Sequence, residues 1–92
     1  MNAKVKKLKK KLERVDEILE DEDMEEYGAS SLGDGSYDTT CLVTYELYYE
    51  EDPGHEHIFI SDGYGDRWDV TDLSPREIVK KMKEYARSAL EN

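Results

Sequence analysis

His55 and His57 are the side chains whose type and spacing most directly suggest chemistry. A His-x-His pair puts two imidazoles on one side of a strand, and two imidazoles with a carboxylate can bind zinc or iron. The sequence holds no third histidine, and the predicted cross-strand neighbours Glu50 and Asp52 would hold both rings in surface ion pairs. We therefore expect no bound metal, and a small metal-dependent enzyme around this strand is an alternative.

No other group of residues marks an active site. Acid–base catalysis needs a few groups held in a dry, shaped pocket, and carboxylates are so abundant here that no single pair stands out. The one cysteine, Cys41, is predicted to face the core, where a thiol is usually inert. We expect a protein that is not an enzyme and that has no catalytic residues and no cofactor.

Charge is strongly segregated along the chain. Residues 15–74 hold nineteen Asp and Glu against one base, Arg67. Residues 1–14 hold seven Lys and Arg against one Glu, and residues 75–92 hold five against three, which gives a net charge of −10. Folded carboxylates at this density attract cationic surfaces. The sequence therefore favours a protein that binds something basic.

Two amphipathic helices are predicted, one towards each end. Apolar residues from Val5 to Leu19 recur at alternating spacings of three and four and predict a helix over residues 3–23. Ser74 and Glu77 form a capping box around Pro75, which predicts a helix over residues 75–90. Packing of the first helix on a sheet is favoured because two heptads are short for a coiled coil, and a homo-oligomer formed through helix 3–23 stays open.

Three strands are predicted between the helices. Alternation of side chains assigns them to residues 37–50, 55–62 and 67–72, and the Gly- and Ser-rich segment 27–36 is predicted to be a loop. The order α-β-β-β-α predicts one α+β domain over residues 1–92, an antiparallel meander with both helices packed against it. If both helices cover one face of the sheet, the opposite face is exposed to solvent. That face would carry Leu42, Glu46, Tyr48, Glu50, Phe59, Asp69 and both histidines.

Turn chemistry predicts the register of the strands. Pro53 and Gly54 suit the centre of a type II turn. Gly65 suits the left-handed position of a second hairpin. Closing both hairpins at these turns predicts the pairs Leu47–Ile60, Tyr48–Phe59, Tyr49–Ile58, Glu50–His57, Asp52–His55, Ile60–Trp68 and Ile58–Val70.

The basic start of the chain is followed by no apolar run typical of a secretory signal, and no stretch approaches membrane-spanning length. One cysteine allows no internal disulfide, which suits a reducing compartment. We expect a soluble, cytoplasmic protein with no membrane partner.

The residues predicted to bind a partner combine carboxylates with aromatic anchors. Residues 16–26 contain eight acids in eleven positions, and rows of carboxylates can occupy Lys and Arg sites built for a nucleic acid backbone. The partner is then a basic protein surface, such as that of a nucleic-acid-binding protein or nuclease. The predicted set is Asp16, Glu17, Glu20, Asp21, Glu22, Asp23, Glu46, Tyr48, Glu50, Glu51, Phe59, Tyr64, Asp66 and Asp69.

The basic ends of the chain offer an alternative, direct binding of nucleic acid. Lysines on two helix faces could contact phosphates. They could equally be solvated side chains whose charge balances that of the protein's own acidic middle. The residues concerned are Lys4, Lys7, Lys11, Lys80, Lys81 and Lys83.

In size, charge and predicted fold the chain loosely resembles the small acidic inhibitors encoded by phages, including anti-CRISPR proteins and other DNA mimics. The likeness rests on the acids of residues 16–26, 50–52 and 62–72 and on a three-stranded sheet flanked by helices. It extends over the whole chain in outline and involves no residue-level motif. The resemblance implies a stoichiometric inhibitor inside a bacterium, one that blocks a nuclease such as a CRISPR effector or its nucleic acid channel. The element order is also similar to that of the double-stranded-RNA-binding domain, in topology only.

Overall fold

The chain folds into two helices and a four-stranded sheet, in the order α1 (Ala3–Asp21), β1 (Ala29–Ser31), β2 (Val43–Tyr48), β3 (His57–Asp62), β4 (Arg67–Asp69) and α2 (Pro75–Glu91). This computed structural model describes residues 3–22, 29–31, 42–50, 54–62 and 65–91. The predicted α+β class, with a helix before and a helix after an antiparallel meander of three strands, is confirmed.

A short additional strand corrects the prediction that residues 27–36 form a loop. β1 pairs in parallel with β2, with Ser30 opposite Thr44, and the strand order is β1-β2-β3-β4. Ala29, Ser30 and Ser31 have little intrinsic strand preference, so the sequence pattern does not indicate a strand there. This strand forms because the open edge of β2 supplies hydrogen-bonding partners.

The remaining elements lie where they were predicted, and the strands are shorter. β2 occupies residues 43–48 of the predicted 37–50, of which residues 37–41 lie outside the described part of the chain. β3 begins at residue 57 instead of 55, and β4 ends at 69 instead of 72 because the chain then turns towards α2. α1 ends at 21 instead of 23 and α2 at 91 instead of 90, which is the usual uncertainty of helix ends.

The predicted register of the first hairpin is wrong by two residues. Tyr45 lies opposite Ile60 and Leu47 opposite Ile58, whereas a turn at Pro53-Gly54 predicted Leu47 opposite Ile60. A shift of two keeps the paired side chains of β2 and β3 on their predicted faces, because side chains alternate with a period of two. The predicted pairs Tyr48–Phe59, Tyr49–Ile58 and Glu50–His57 are therefore wrong as well; Asp52, predicted opposite His55, lies outside the described residues.

Glu56 explains this register. Its side chain is buried at the end of the connection between β2 and β3, with the residue 2% exposed, and its carboxylate accepts hydrogen bonds from the Gly54 amide at 3.1 and 3.2 Å. The chain therefore turns in to bury Glu56 before the ladder begins at His57. A tight turn that continues directly into paired strands leaves no place for this inward step.

The second hairpin has the predicted register. Ile60 lies opposite Trp68 and Phe59 opposite Asp69. The Val70 amide continues the pairing by donating to the Ile58 carbonyl at 2.8 Å. Gly65 adopts the predicted left-handed conformation, with φ of +93°.

Both helices pack on the same face of the sheet. α1 contributes a buried stripe from Val5 to Leu19, and α2 contributes Ile78, Val79, Met82 and Ala86. They meet the inward side chains of the strands, and Trp68 stacks on Tyr85 with a centroid separation of 4.1 Å. The strand residues of this core are Val43, Tyr45, Ile58, Ile60 and, after β4, Val70.

α2 begins at the predicted capping box. The Ser74 hydroxyl accepts from the Glu77 amide at 3.2 Å, and the Glu77 carboxylate accepts from the Ser74 amide at 3.2 Å. Pro75 occupies the first helical position, where its missing N–H leaves no intrahelical hydrogen bond unmade. This start directs α2 back across the same sheet face as α1.

Candidate docking surface

The predicted docking residues lie on two opposite sides of the sheet. The first group is the acidic helix end, which we define as Asp16, Glu17, Glu20, Asp21 and Glu22 of α1 and the turn that follows it. The second is the open sheet face, on which no described helix packs. It comprises Glu46, Tyr48, His57, Phe59, Arg67 and Asp69. Thr44 and Ser61 point to the same side, but Thr44 is 2% exposed and the Ser61 hydroxyl is buried, so this end of the face is covered. Leu42, which was predicted to lie on this face, is half-buried and packs against the core instead.

The other predicted residues fall near these two groups or outside the described part of the chain. Glu50 follows β2 and Asp66 precedes β4, so both flank the open sheet face. Asp23, Glu51 and Tyr64 lie outside the described residues. Because the core and the helices separate the two groups, one flat partner surface cannot contact both at once.

The acidic helix end is held by the core. Val15 is 0%, Ile18 4% and Leu19 7% exposed, so the last turns of α1 are packed along their inner side. Glu17, Glu20 and Asp21 are exposed on the opposite side, at spacings that bring side chains within roughly 5–6 Å of each other on a helix. The carboxylates therefore project from a fixed backbone.

Two side-chain contacts tie this end of the helix further. The Tyr45 hydroxyl of β2 donates a hydrogen bond to Asp16 Oδ1 at 2.5 Å. Arg14 forms an ion pair with Glu17 at 2.8 Å. Among the described residues Glu20 and Asp21 take part in no ion pair, so their charge is fully presented to solvent.

The charges of α1 oppose its helix dipole. Its first turn contains no acid and its last turn no base, while lysines crowd the beginning and carboxylates the end. Carboxylates near a helix C-terminus and like charges three or four residues apart both destabilise a helix, by about 0.3–1 and 0.2–0.5 kcal/mol each. Burial of the apolar stripe overrides these terms, and stability alone does not account for the arrangement.

On the open sheet face, acids and bases compensate one another. Arg67 of β4 forms an ion pair with Glu46 of β2, and its guanidinium lies 4.4 Å from the centroid of the Phe59 ring between them. His57 stacks on the other side of this cluster, 5.5 Å from Phe59, and its Nδ1 lies 3.0 Å from Asp69 Oδ2. This face presents an aromatic cluster around which Glu46 and Asp69 each contact a neighbouring side chain.

Hydrogen bonds adjust two pKa values on this face. For Asp69, burial is the largest single contribution and raises the pKa, but hydrogen bonds from the Thr71 hydroxyl and amide and the contact with His57 together lower it below its ordinary value. The pKa of Tyr48 is raised, first because its hydroxyl donates to Glu50 at 2.6 Å and then because of the Glu50 charge. The lowered pKa keeps the Asp69 carboxylate ionised at neutral pH.

Some of the lysines predicted to bind nucleic acid contact groups of the protein itself. Lys11 donates hydrogen bonds to the carbonyls of Thr71 at 2.8 Å and Leu73 at 3.0 Å. Lys4 lies 4.0 Å from the buried carboxylate of Glu56, and Lys81 pairs with Glu84 at 3.4 Å. Lys7 and Lys80 are exposed and Lys83 is half-buried, so the set forms no continuous cationic surface.

The histidines do not come together as a metal site. His57 pairs with Asp69 instead of the predicted Glu50, and His55 is exposed beyond the end of the ladder. In the described part of the chain, no group of three or more His, Cys, Asp and Glu side chains has an arrangement that could hold a metal ion. Cys41 lies outside that part.

The apolar stripe of α1, the predicted route to self-association, is buried within the chain's own core. Val5, Leu8 and Leu12 are 1%, 4% and 5% exposed. A second copy cannot use these side chains without unpacking the helix from the sheet.

Two important residues were not singled out from the sequence. Glu56 is buried although it lies in a run of acids, and no sequence signal separates it from its neighbours. Arg67 organises the open sheet face, and its position as the only base between residues 15 and 74 was a usable signal.

Comparison of the chain with protein-family models, with curated proteins and with solved structures finds no match. Within the described residues, neither helix combines the length and the apolar character needed to cross a membrane.

Proposed function

We propose that this protein is a non-enzymatic, cytoplasmic binding protein that docks its acidic helix end on a cationic, nucleic-acid-binding surface of a partner protein. An inhibitor of a nuclease, such as a CRISPR effector, is the form of this function that the charge pattern favours. One observation carries the proposal: exposed carboxylates project from turns of α1 whose inner side is fully packed.

Fixed carboxylates suit this role better than mobile ones. A partner that binds them does not have to order the backbone that carries them, so less conformational entropy opposes association. Their field also steers encounter with a cationic surface, an effect that acts over roughly one Debye length, about 10 Å at 0.1 M salt. Binding is therefore expected to weaken steeply as salt rises.

The acidic helix end supports the proposal better than the open sheet face does. Glu46 already pairs with Arg67, and Asp69 already contacts Thr71 and His57 within the protein. An incoming lysine or arginine would have to compete with these contacts. Glu20 and Asp21, in contrast, offer exposed carboxylates that form no ion pair with described residues.

Direct nucleic acid binding gains less support. Lys11 and Lys4 contact groups of the protein itself, and a net charge of −10 repels a polyanion. A gel shift on duplex RNA and duplex DNA tests this alternative, and a shift at micromolar protein would favour it over protein docking.

The proposal is tested by capture of proteins from a nuclease-treated bacterial extract on the immobilised chain. Glu20→Gln/Asp21→Asn removes two charges from the acidic helix end, and Asp72→Asn/Glu84→Gln removes two exposed charges elsewhere. We expect the first variant to lose captured basic proteins several-fold and at lower salt, because neutralising interface charges weakens steering and contact. The control variant is expected to behave like the wild type.

Two results would contradict the proposal. Equal loss in both variants would mean that net charge, and not the acidic helix end, governs capture. Release of every basic protein at about 50 mM salt, where screening is still weak, would mean that no specific complex forms.

A further inference from the structure

A stripe of exposed charge runs along the side of α1 that faces away from the sheet. Eight charged residues fall within about 140° of the helix circumference, opposite the buried apolar stripe. Bases occupy the first half of this outer stripe and acids the second half, with one residue of each sign at its centre. The outer stripe consists of Lys6, Lys7, Lys10, Glu13, Arg14, Glu17, Glu20 and Asp21.

The outer stripe is complementary to a copy of itself that runs in the opposite direction. If a two-fold axis passes between Glu13 and Arg14, every residue of the stripe lies opposite a residue of the other sign. The facing pairs are Lys6 and Asp21, Lys7 and Glu20, Lys10 and Glu17, and Glu13 and Arg14. Two-fold symmetry forms each of these four pairs twice. A second copy therefore meets complementary charge along the whole stripe.

The same pairing accounts for charges that oppose the helix dipole. Within one chain, lysines at the beginning of α1 and carboxylates at its end destabilise the helix. In an antiparallel pair, the carboxylates of one helix lie beside the lysines and the positive dipole end of the other. An order of charges that is unfavourable within one helix is therefore favourable between two helices.

Most charges of the outer stripe are available to a second copy. Among the described residues, only Arg14 and Glu17 of the stripe form an ion pair, and they pair with each other at 2.8 Å. α1 holds seven bases and five acids, a net charge of +2, whereas the whole chain has −10. The negative charge that repels two chains thus lies outside α1, and the packed inner side of the helix holds the stripe in place.

We propose that the outer stripe is a docking surface for a second copy of this chain, in a two-fold, antiparallel pair of α1 helices. The apolar stripe stays packed in each core. Exposed ion pairs are individually weak and one helix face is a small interface, so the dimer forms at about 0.1–1 mM protein and dissociates on dilution. This dimer goes beyond the proposed docking on a cationic partner. It covers Glu20 and Asp21, so a second copy and a cationic partner compete for the acidic helix end.

Sedimentation equilibrium at about 0.1 M salt, where distant charges are screened, tests the proposal. We expect the average mass of the wild type to rise towards that of a dimer as concentration increases. The lysine variant, Lys6→Glu/Lys7→Glu, puts acids opposite acids. The acid variant, Glu20→Lys/Asp21→Lys, puts bases opposite bases. Each should weaken self-association about tenfold or more, and neither should unfold because both changes follow the helix dipole.

Two results of this experiment would overturn the proposal. The first is a wild type that stays monomeric up to about 1 mM, a concentration at which even a weak specific interface is populated. The second is self-association of the lysine variant or the acid variant that equals that of the wild type.

Mixing the variants separates complementary pairing from bulk charge. The lysine variant, carrying a fluorescent label, and the acid variant restore opposite signs at every facing pair, so an equal mixture should associate although neither variant does so alone. Their net charges are −14 and −6, because each substitution changes the charge by two. Both chains are negative, so net charge does not draw them together. A mixture no more associated than its components would contradict the proposal.

A matched partner for the labelled lysine variant completes the design. Asp72→Lys/Glu84→Lys has the same net charge as the acid variant but an unchanged α1, and both positions are exposed. It should associate with the labelled chain several-fold more weakly than the acid variant does. Equal association would overturn the proposal. The lysine variant keeps the acidic helix end and should still capture basic proteins when immobilised, so failure of the dimer and failure of partner docking are distinguishable.

Discussion

Lys11 is a residue whose role changes between sequence and structure. Its type and its neighbours predict a contact with phosphate, yet its ammonium donates to the Thr71 and Leu73 carbonyls in the segment that leads into α2. Those carbonyls lie outside any ladder. Lys11 therefore supplies hydrogen-bond donors to carbonyl groups that the sheet and the helix do not pair. The side chain thereby joins the middle of α1 to the beginning of α2.

Lys11→Met is expected to lower the free energy of unfolding by about 1–3 kcal/mol, because two charge-assisted hydrogen bonds are lost while the apolar stem is kept. Urea unfolding measures the change. Lys10→Met, at an exposed neighbouring position, is the control and should stay within about 0.5 kcal/mol of the wild type. Equal effects of the two substitutions would show that the contacts of Lys11 add nothing.

The carboxylate of Asp69 gives a prediction for pH. Thr71 and His57 lower its pKa on folding despite partial burial. Its contribution to stability is therefore complete above the ordinary value of 3.8 and is lost as pH falls through the lower value of the folded state. We expect a carboxyl titration by NMR to have its midpoint below 3.8 in the wild type.

Thr71→Val removes the hydroxyl hydrogen bond to Asp69 and should raise that midpoint. Thr71 Oγ also accepts from the Ile58 amide at 3.0 Å, so the variant will be less stable, but the direction of the titration shift is independent of stability. A wild-type midpoint at or above 3.8, or no shift in the variant, would contradict the assigned contacts.

At the scale of elements, the charges of α1 lower the stability of the helix and give it a strongly charged outer surface. Carboxylates end the helix and no base lies in its last turn, although the reverse arrangement would suit the dipole. The buried stripe supplies enough packing energy to hold this arrangement. A sequence optimised for folding alone would place basic residues at positions 20 and 21.

Glu20→Lys/Asp21→Lys is accordingly expected to raise the free energy of unfolding by about 1–2 kcal/mol while it abolishes capture of basic proteins. Thermal or urea unfolding measures the first effect. Asp72→Lys/Glu84→Lys makes the same change in net charge, so the comparison removes the general relief of repulsion. Destabilisation by the helix variant relative to this control would contradict the proposed conflict between stability and binding.

The helices and the second hairpin could be predicted because their signals are local. The capping box around Pro75, the apolar spacing of α1 and the left-handed Gly65 each fix a structure through neighbouring residues. β1 and the first register could not be predicted in this way. β1 depends on an edge supplied by β2, and the register depends on the burial of Glu56, which a pattern of alternating side chains does not reveal.

In the candidate site, too, local signals could be predicted from the sequence and contacts between distant residues could not. The exposed carboxylates of α1 could be predicted because the helix period fixes which side faces the core. That Glu46 and Asp69 are already paired depends on contacts between strands, with Arg67 and His57. The sequence therefore predicted one docking surface where the structure has two separate sides.

At the scale of the whole molecule, both helices lie on one side of the sheet. This arrangement places the charges of the helices and those of the open sheet face on opposite sides. The helix layer carries the acidic helix end, and the open sheet face carries paired charges around Phe59. A net charge of −10 is thus not spread evenly over the surface. A cationic partner is drawn to the end of α1, where carboxylates are fixed and exposed.

Competition by DNA tests this central claim most directly. Basic proteins captured on the immobilised wild-type chain are challenged with a short DNA duplex at constant ionic strength. If the acidic helix end occupies a nucleic-acid-binding surface, the duplex releases these proteins in proportion to its concentration, and the Glu20→Gln/Asp21→Asn variant retains few of them to release. Captured proteins that stay bound at saturating duplex would contradict the claim.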